Sequence, residues 1–236
     1  MKYVVVDLEM NNTSRKSGVS QFLKMETIEI GSVMLDENLQ EIATFRTYIK
    51  PEYSDGIRKY ISDLTGITNA MVAGAPGFRE ALRMFTTWCL GTGDEVKIYA
   101  WSDSDYAQIS TEMMVKQYEI CDMEKALLEK RWEDFQKEFD SYLGFERQLS
   151  LSMALDLAGI DFKGREHDAL DDARNTAELL QIFKDKGRFE ETLKRIKEAM
   201  EPTKLECTLG DLFDFSNIIC SYDRPEGEFL HSYAGF

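Results

Sequence analysis

The chain begins Met1-Lys2-Tyr3-Val4-Val5-Val6-Asp7-Leu8-Glu9-Met10, an apolar run that ends in two acidic side chains. Consecutive β-branched valines without polar alternation are typical of a strand covered on both faces, so we expect this strand at the centre of a sheet. Asp7 and Glu9 are two residues apart, and side chains alternate along a strand, so both carboxylates point to the same face.

Two carboxylates at the end of a buried strand repel each other and lose hydration, unless a cation lies between them. Hard oxygen ligands at this spacing suit Mg²⁺ or Mn²⁺. Acidic residues are also common wherever a strand reaches solvent. An isolated Asp-x-Glu pair therefore indicates either a metal site or the solvent-exposed end of a strand. Residues elsewhere in the chain are needed to distinguish the two interpretations.

The net charge limits the kind of nucleic-acid protein that this chain can be. The 236 residues include 43 acidic and 28 basic side chains, for a formal net charge of −15. Such a chain is poorly suited to coating long nucleic acid, because non-specific affinity comes largely from Lys and Arg beside phosphates. A nuclease is not excluded, since bound divalent cations supply positive charge at the phosphate itself.

Cysteine usage and hydropathy predict the compartment. The four cysteines, at positions 89, 121, 207 and 220, show no Cys-x-x-Cys spacing, and Met1 leads directly into a strand. We therefore expect a cytoplasmic protein with reduced thiols. We expect no membrane association, because no apolar run approaches the ~18 residues of a membrane span.

Patterns along the rest of the chain predict a mixed α/β domain. Residues 11–24 are polar and turn-prone, and two β-rich runs at 27–35 and 41–49 predict an antiparallel hairpin beside the first strand. Further short strands are expected at 96–101 and near Trp132. Helical spacing of apolar residues predicts helices over 57–73, 78–90, 106–118, 149–160, 168–184 and 187–200, with one more after Trp132.

A second group of polar residues lies near the end of this domain, in Arg165-Glu-His167-Asp-Ala-Leu-Asp-Asp172. On one helix His167 and Asp172 would lie about 140° apart, so both reach one site only if His167 precedes the helix. Asp168 is a suitable N-cap, which permits this arrangement. The helix dipole alone would also account for acids in the first turn.

Taken together, these motifs resemble the DnaQ-like exonucleases that carry an Asp-Glu-Asp-Asp-His signature. This superfamily includes the proofreading subunit of DNA polymerase III, oligoribonuclease, ribonuclease T and the enhancer-of-RNAi exoribonucleases. The likeness covers about residues 1–186 in order, and its connecting segments lie at 26–31, 64–68 and 75–78. The closing stretch, 149–160 followed by His-x-x-x-Asp-Asp-Ala-Arg-Asn, looks most like the enhancer-of-RNAi branch. The chain departs from the family pattern after Glu9, at Met10-Asn11.

The resemblance implies an RNase H-like fold, with a mixed central β-sheet, an antiparallel hairpin edge and flanking helices. Residues 1–186 would form the exonuclease domain, and 187–236 would be a C-terminal extension with an amphipathic helix and an unassigned tail. That extension either packs back on the domain or mediates self-association. The oligomeric state is not predicted.

The resemblance also implies a two-metal site. Asp7, Glu9, Asp105 and Asp172 would hold two Mg²⁺ or Mn²⁺ ions about 4 Å apart, and His167 would act as general base. In the enhancer-of-RNAi branch a Trp-containing strand runs into the second acid just before a helix, which aligns Asp105 with the metal ligand and leaves Asp103 as the alternative. The implied activity is 3′–5′ removal of nucleoside 5′-monophosphates from single-stranded nucleic acid, with RNA favoured and DNA possible. The rival hypothesis is a catalytically silent module that binds nucleic acid or a protein.

Unstacked bases at a 3′ end can rest on apolar side chains, and Met10, Phe22 and Leu23 are candidates for that contact. Phe22 and Leu23 have a second interpretation, in which they only pin their loop to the core. Arg15, Lys16 and Lys24 in the same loop either contact a phosphate backbone or are simply solvated.

Overall fold

The computed structural model describes residues 1–144 and 148–200, and its centre is a five-stranded mixed sheet. The strand order is β3-β2-β1-β4-β5, with antiparallel pairing of β1 with β2 and of β2 with β3, and parallel pairing of β1 with β4 and of β4 with β5. The strands are β1 (Lys2–Asn12), β2 (Met25–Leu35), β3 (Glu41–Tyr48), β4 (Val96–Ala100) and β5 (Trp132–Asp134). The predicted central strand and antiparallel hairpin edge are confirmed.

Helices cover both faces of this sheet. Val5 packs in one buried cluster with Trp101 and Phe135, whereas Val4 and Val6 pack in another with Phe85. The helices of the described part are α1 (Lys59–Thr65), α2 (Asn69–Ala73), α3 (Phe78–Leu90), α4 (Ser104–Val115), α5 (Asp122–Lys130), α6 (Phe135–Leu143), α7 (Leu151–Ala158), α8 (Ala169–Lys184) and α9 (Lys186–Met200). The valine run is therefore covered on both sides, as its composition predicts.

Two helix predictions need correction. The single helix expected over 57–73 is two helices, because Gly66 adopts a left-handed conformation (φ 75°) that ends α1, and Thr68 caps α2. Helix α5 was not predicted, because its sequence is mostly charged. It begins with a capping box between Cys121 and Glu124, which lets it form with few apolar residues.

The helix predicted beyond Lys186 is present as α9. Its Phe189 and Ile196 are buried in the cluster that also contains α7 and α8 residues. Residues 201–236, which hold the rest of the predicted extension, lie outside the described residues. Within the described part of the chain, no helix combines the length and apolar composition that crossing a bilayer requires.

Candidate active site

A cavity of about 260 Å³ lies where the parallel part of the sheet stops. Strand β4 pairs with β1 only from Lys2 to Val5, so the β4-side edge of β1 is open beyond that point. All five side chains predicted to be catalytic line this cavity, namely Asp7, Glu9, Asp105, His167 and Asp172. They come from β1, the first turn of α4 and the start of α8, three segments that are distant in sequence.

Asp7 and Glu9 face this cavity from β1, and their carboxyl groups are strongly perturbed. Burial, followed by the nearby Asp105 and Asp172 carboxylates, raises the pKa of Asp7 well above its usual value. Burial and Asp172 raise the pKa of Glu9 to about 8. A cation between the two carboxylates would offset this rise and favour their ionised forms.

The structure distinguishes between the two acids that follow β4. Asp105 is buried, lines the cavity and accepts a hydrogen bond from the backbone N–H of Leu8, whereas Asp103 is exposed and lies outside the cavity lining. Burial raises the pKa of Asp105 to about 7. The geometry favours Asp105 as the second acid of the signature, and its catalytic role stays a prediction.

His167 precedes α8, in the position that its spacing from Asp172 requires. Asp168 is the N-cap of the helix and accepts a hydrogen bond from the N–H of Asp171. The backbone N–H of His167 donates to the Asp172 carboxylate at 3.1 Å. Burial outweighs that bond and raises the pKa of Asp172 to about 7. One ring nitrogen of His167 and one carboxylate oxygen each of Glu9 and Asp172 lie within 4.8 Å of one another.

A close approach of backbones positions the start of α8 against the sheet. At Gly31 of β2, which pairs with Asp7, an added Cβ would lie 2.2 Å from the backbone of Ala169 and Leu170. Only glycine permits this contact, because any side chain would push the helix away. The helix that carries Asp172 is thereby held next to the strand that carries Asp7.

An ion-pair network joins the same helix to the hairpin. The fully buried Glu29 side chain accepts from Arg46 Nε at 2.6 Å, and Arg46 also donates to Asp168 at 2.7 Å. The N–H of Ala169 donates to Glu29 as well. These positioning residues were not identified from the sequence. Glu29 could have been noticed, because an acid between two isoleucines in a buried strand is unusual.

The three residues predicted to contact the substrate differ in their position relative to the cavity. Met10 lines the cavity. Leu23 is only 1% exposed, so the prediction that it contacts a base is wrong, and it serves instead to pin the loop. Phe22 is exposed on the same loop but does not line the cavity.

The residues present fit divalent metal ions. Four carboxylates supply hard oxygen donors. Burial raises their pKa values because it destabilises the ionised forms, which a nearby cation would stabilise. Neutral amides or hydroxyls carry no charge for a cation to offset. The cluster therefore has the donor chemistry of a Mg²⁺-type site rather than that of a thiolate or imidazole site.

Comparisons with known proteins agree with this geometry. Residues 4–180 match the model of the family described as Exonuclease. Over 184 residues, which are 74% of this chain, it is 28% identical to the rat 3′-5′ exoribonuclease 1 and covers 50% of that protein. It is 30% identical over 174 residues to the human ERI1 exoribonuclease 2, covering 65% of this chain and 24% of that protein.

Solved structures share the fold. The nuclease domain of 3′hExo, a DEDDh family member bound to rAMP, superposes with a TM-score of 0.66 at 21% identity, over 78% of this chain and 92% of that chain. A 3′-exonuclease in a structure of histone mRNA stem-loop recognition gives a TM-score of 0.67 at 20% identity, over 78% and 82% of the two chains.

The mixed sheet with helices on both faces is the RNase H-like fold of these solved structures. This chain belongs to the exonuclease family. The predicted resemblance to DnaQ-like exonucleases with the Asp-Glu-Asp-Asp-His signature, on the enhancer-of-RNAi side, is confirmed. That family depends on divalent metal ions. The chain spans about half the length of the 3′-5′ exoribonucleases 1 that it matches.

Proposed function

We propose that this protein is a 3′–5′ exonuclease that uses Mg²⁺ or Mn²⁺ to hydrolyse phosphodiester bonds at the 3′ end of single-stranded nucleic acid, with release of nucleoside 5′-monophosphates. The observation that carries the proposal is the convergence of four buried or half-buried carboxylates and one imidazole on a single cavity. The named activity of the relatives supports it.

Asp7, Glu9, Asp105 and Asp172 would hold the metal ions. When bound, such ions stabilise the charge that develops on the phosphate and lower the pKa of a coordinated water. The carboxylates of this chain would then remain ionised at neutral pH, because the cations would offset the burial and the mutual repulsion that otherwise raise their pKa values.

His167 is the proposed general base. Its imidazole lies beside Glu9 and Asp172, at the rim of the cavity, and its residue precedes α8 rather than lying within the helix. A neutral imidazole nitrogen can accept the proton of the attacking water and return it to solvent.

A single-stranded 3′ end fits the cavity better than a duplex does. A volume of about 260 Å³ holds little more than one nucleotide, and Met10 offers an apolar contact to an unstacked base. RNA is the favoured substrate, since the relatives are named exoribonucleases and the matched nuclease domain was solved with rAMP.

The deciding experiment is an assay of the purified protein on short RNA and DNA strands, labelled at either end, with Mg²⁺, Mn²⁺ or a chelator. We expect mononucleotides to be released from the 3′ end only when metal is present. Asp105→Asn should abolish cleavage, whereas the neighbouring Asp103→Asn, a matched control, should leave it near the wild-type rate. Absence of cleavage at every tested length with both metals would favour the silent binding module.

A further inference from the structure

A second concavity lies beside the catalytic cavity, between the loop after β1 and the segment that leads into α1. Its volume is about 1060 Å³, and its lining includes Arg15, Lys24, Arg58 and Tyr60. We call these four residues and the space between them the basic groove. No carboxylate of the described residues lines it.

The charge of the basic groove is opposite to that of the protein. The chain as a whole carries −15, yet Arg15, Lys24 and Arg58 form no salt bridge with any described residue. The adjacent Lys59, by contrast, pairs with Asp63 at 2.6 Å. Like charges around one groove repel each other, so this arrangement is most favourable when a polyanion lies between them.

The walls of the basic groove are held in place by buried polar contacts. The fully buried Asn11 accepts from the backbone N–H of Arg58 at 2.9 Å and donates to the carbonyl of Gly56 at 3.1 Å. On the other wall, the backbone N–H of Thr13 donates to the carbonyl of Lys24 at 3.0 Å. The cations are therefore presented on a preformed frame anchored to β1.

Tyr60 supplies an aromatic surface at the edge of the basic groove. Its side chain is 57% exposed, and its hydroxyl donates a hydrogen bond to the Asn12 side chain. Much of the ring is open to solvent. An exposed aromatic ring among cations is typical of surfaces that stack single-stranded bases.

The basic groove continues from the catalytic cavity. Met10 lines the cavity and Asn12 lines the groove, and two residues of a strand span about 7 Å. A nucleic-acid strand whose 3′-terminal linkage lies in the cavity therefore meets the groove with its next nucleotides.

We propose that the basic groove binds the nucleotides that precede the 3′-terminal linkage, with backbone phosphates at Arg15, Lys24 and Arg58 and one base stacked on Tyr60. The inference rests on the proposed exonuclease function and extends it to a single strand of several nucleotides. Residues near the cavity would perform hydrolysis, and the basic groove would supply affinity for longer strands.

The test compares a dinucleotide, whose one phosphate is the scissile phosphate in the cavity, with a strand of about ten nucleotides. In the triple variant Arg15→Gln, Lys24→Gln, Arg58→Gln, we expect kcat/KM for the longer strand to fall on the order of ten- to a hundred-fold, with the dinucleotide nearly unaffected. The slope of log affinity against log salt should decrease by about 2, from three lost phosphate contacts. Lys59→Gln, an exposed control in the same segment, should behave as wild type.

Strand binding is measured separately, by fluorescence anisotropy in a chelator, so that it does not depend on cleavage. Tyr60→Leu should weaken binding of the longer strand about tenfold, whereas Tyr60→Phe should preserve it. If wild type binds the longer strand through the groove but cleaves nothing, the proposed function fails, although strand binding by the basic groove is still demonstrated. If the triple variant binds the longer strand as tightly as wild type, or loses both substrates equally, the inference is wrong even though the enzyme is active.

Discussion

His167 adopts a left-handed backbone conformation, with φ of 61°, directly before the N-cap of α8. Such conformations are uncommon for residues other than glycine. The hydrogen bond from its N–H to the Asp172 carboxylate holds the backbone in this state. Asp172 therefore has two roles in the proposed site, since it would bind metal and it also positions the histidine.

We predict that His167→Ala leaves divalent metal binding largely intact and lowers kcat about 10²- to 10⁴-fold, the usual contribution of a general base. Asp172→Asn should instead lose both metal binding and turnover. Calorimetric titration with Mn²⁺ and single-turnover cleavage separate the two effects. A His167→Ala protein that cleaves at the wild-type rate would remove the histidine from the mechanism.

The carboxylates also predict how the stability of the metal-free protein depends on pH. The folded-state pKa values of Glu9, Asp105 and Asp172 are raised to about 8, 7 and 7 from ordinary values near 4. Between the ordinary pKa values and the raised ones, the folded state binds more protons than the unfolded state does. The free energy of unfolding therefore falls as pH rises through this range.

We therefore expect the melting temperature of the metal-free protein to decrease from about pH 5.5 to about pH 8.5, and the stabilisation by added Mn²⁺ to be greatest at the alkaline end. Thermal denaturation in a chelator measures this slope. Glu9→Gln, which removes one of the repelling charges, should flatten it. If the melting temperature of Glu9→Gln depends on pH as strongly as that of wild type does, the pH dependence does not come from this carboxylate cluster.

At the scale of elements, the contact between β2 and α8 decides whether the site forms. Gly31 allows the first turn of α8 to approach the sheet, and the network of Glu29, Arg46 and Asp168 ties the N-cap of that helix to the hairpin. Both features act on the helix that carries Asp172. A small shift of α8 would therefore change the distance between Asp172 and the carboxylates of β1.

Gly31→Ala tests this contact. The added methyl would have to displace backbone atoms that lie only 2.2 Å away, so we expect a stability loss of about 1–3 kcal/mol and a larger proportional loss of activity. Gly74→Ala is the matched control, because no atom lies within 4 Å of an added Cβ and its φ is −100°. Urea denaturation and cleavage assays report the two effects. Equal behaviour of both variants would show that the close approach is unimportant.

At the scale of the whole molecule, a buried charge network joins the sheet, α4 and the loop that supports the basic groove. The Lys116 ammonium, 1% exposed, lies 2.9 Å from both Glu26 and Glu112. Glu26 in turn accepts from the backbone N–H groups of Glu52 and Tyr53. The network thus connects segments that are far apart in the chain.

Lys116→Met should cost about 3–5 kcal/mol of stability, because it leaves two buried carboxylates without their cation. Lys59→Met, at an exposed pair, should change stability by less than about 1 kcal/mol. Chemical denaturation of both variants provides the comparison. A small effect at Lys116 would mean that water replaces the ammonium in the folded protein.

Local patterns predicted much of this architecture because they depend on near neighbours in the chain. The valine run indicated a central strand, the hairpin followed from two β-rich runs, and Asp168 identified the start of α8. The division at Gly66 and the charged helix α5 were missed. In both cases the deciding feature was a cap or a single left-handed residue, which hydrophobic periodicity does not reveal.

The sequence alone determined which residue types are present for metal-dependent chemistry and in what order they occur. Only the tertiary structure decided that Asp105 rather than Asp103 enters the cavity, that Leu23 is buried, and that loops about 40 residues apart form the basic groove. The position of Asp105 depends on the parallel pairing of β4 with β1, and the basic groove depends on the hydrogen bonds of Asn11 to the segment before α1. Such contacts join distant segments, so no local pattern specifies them.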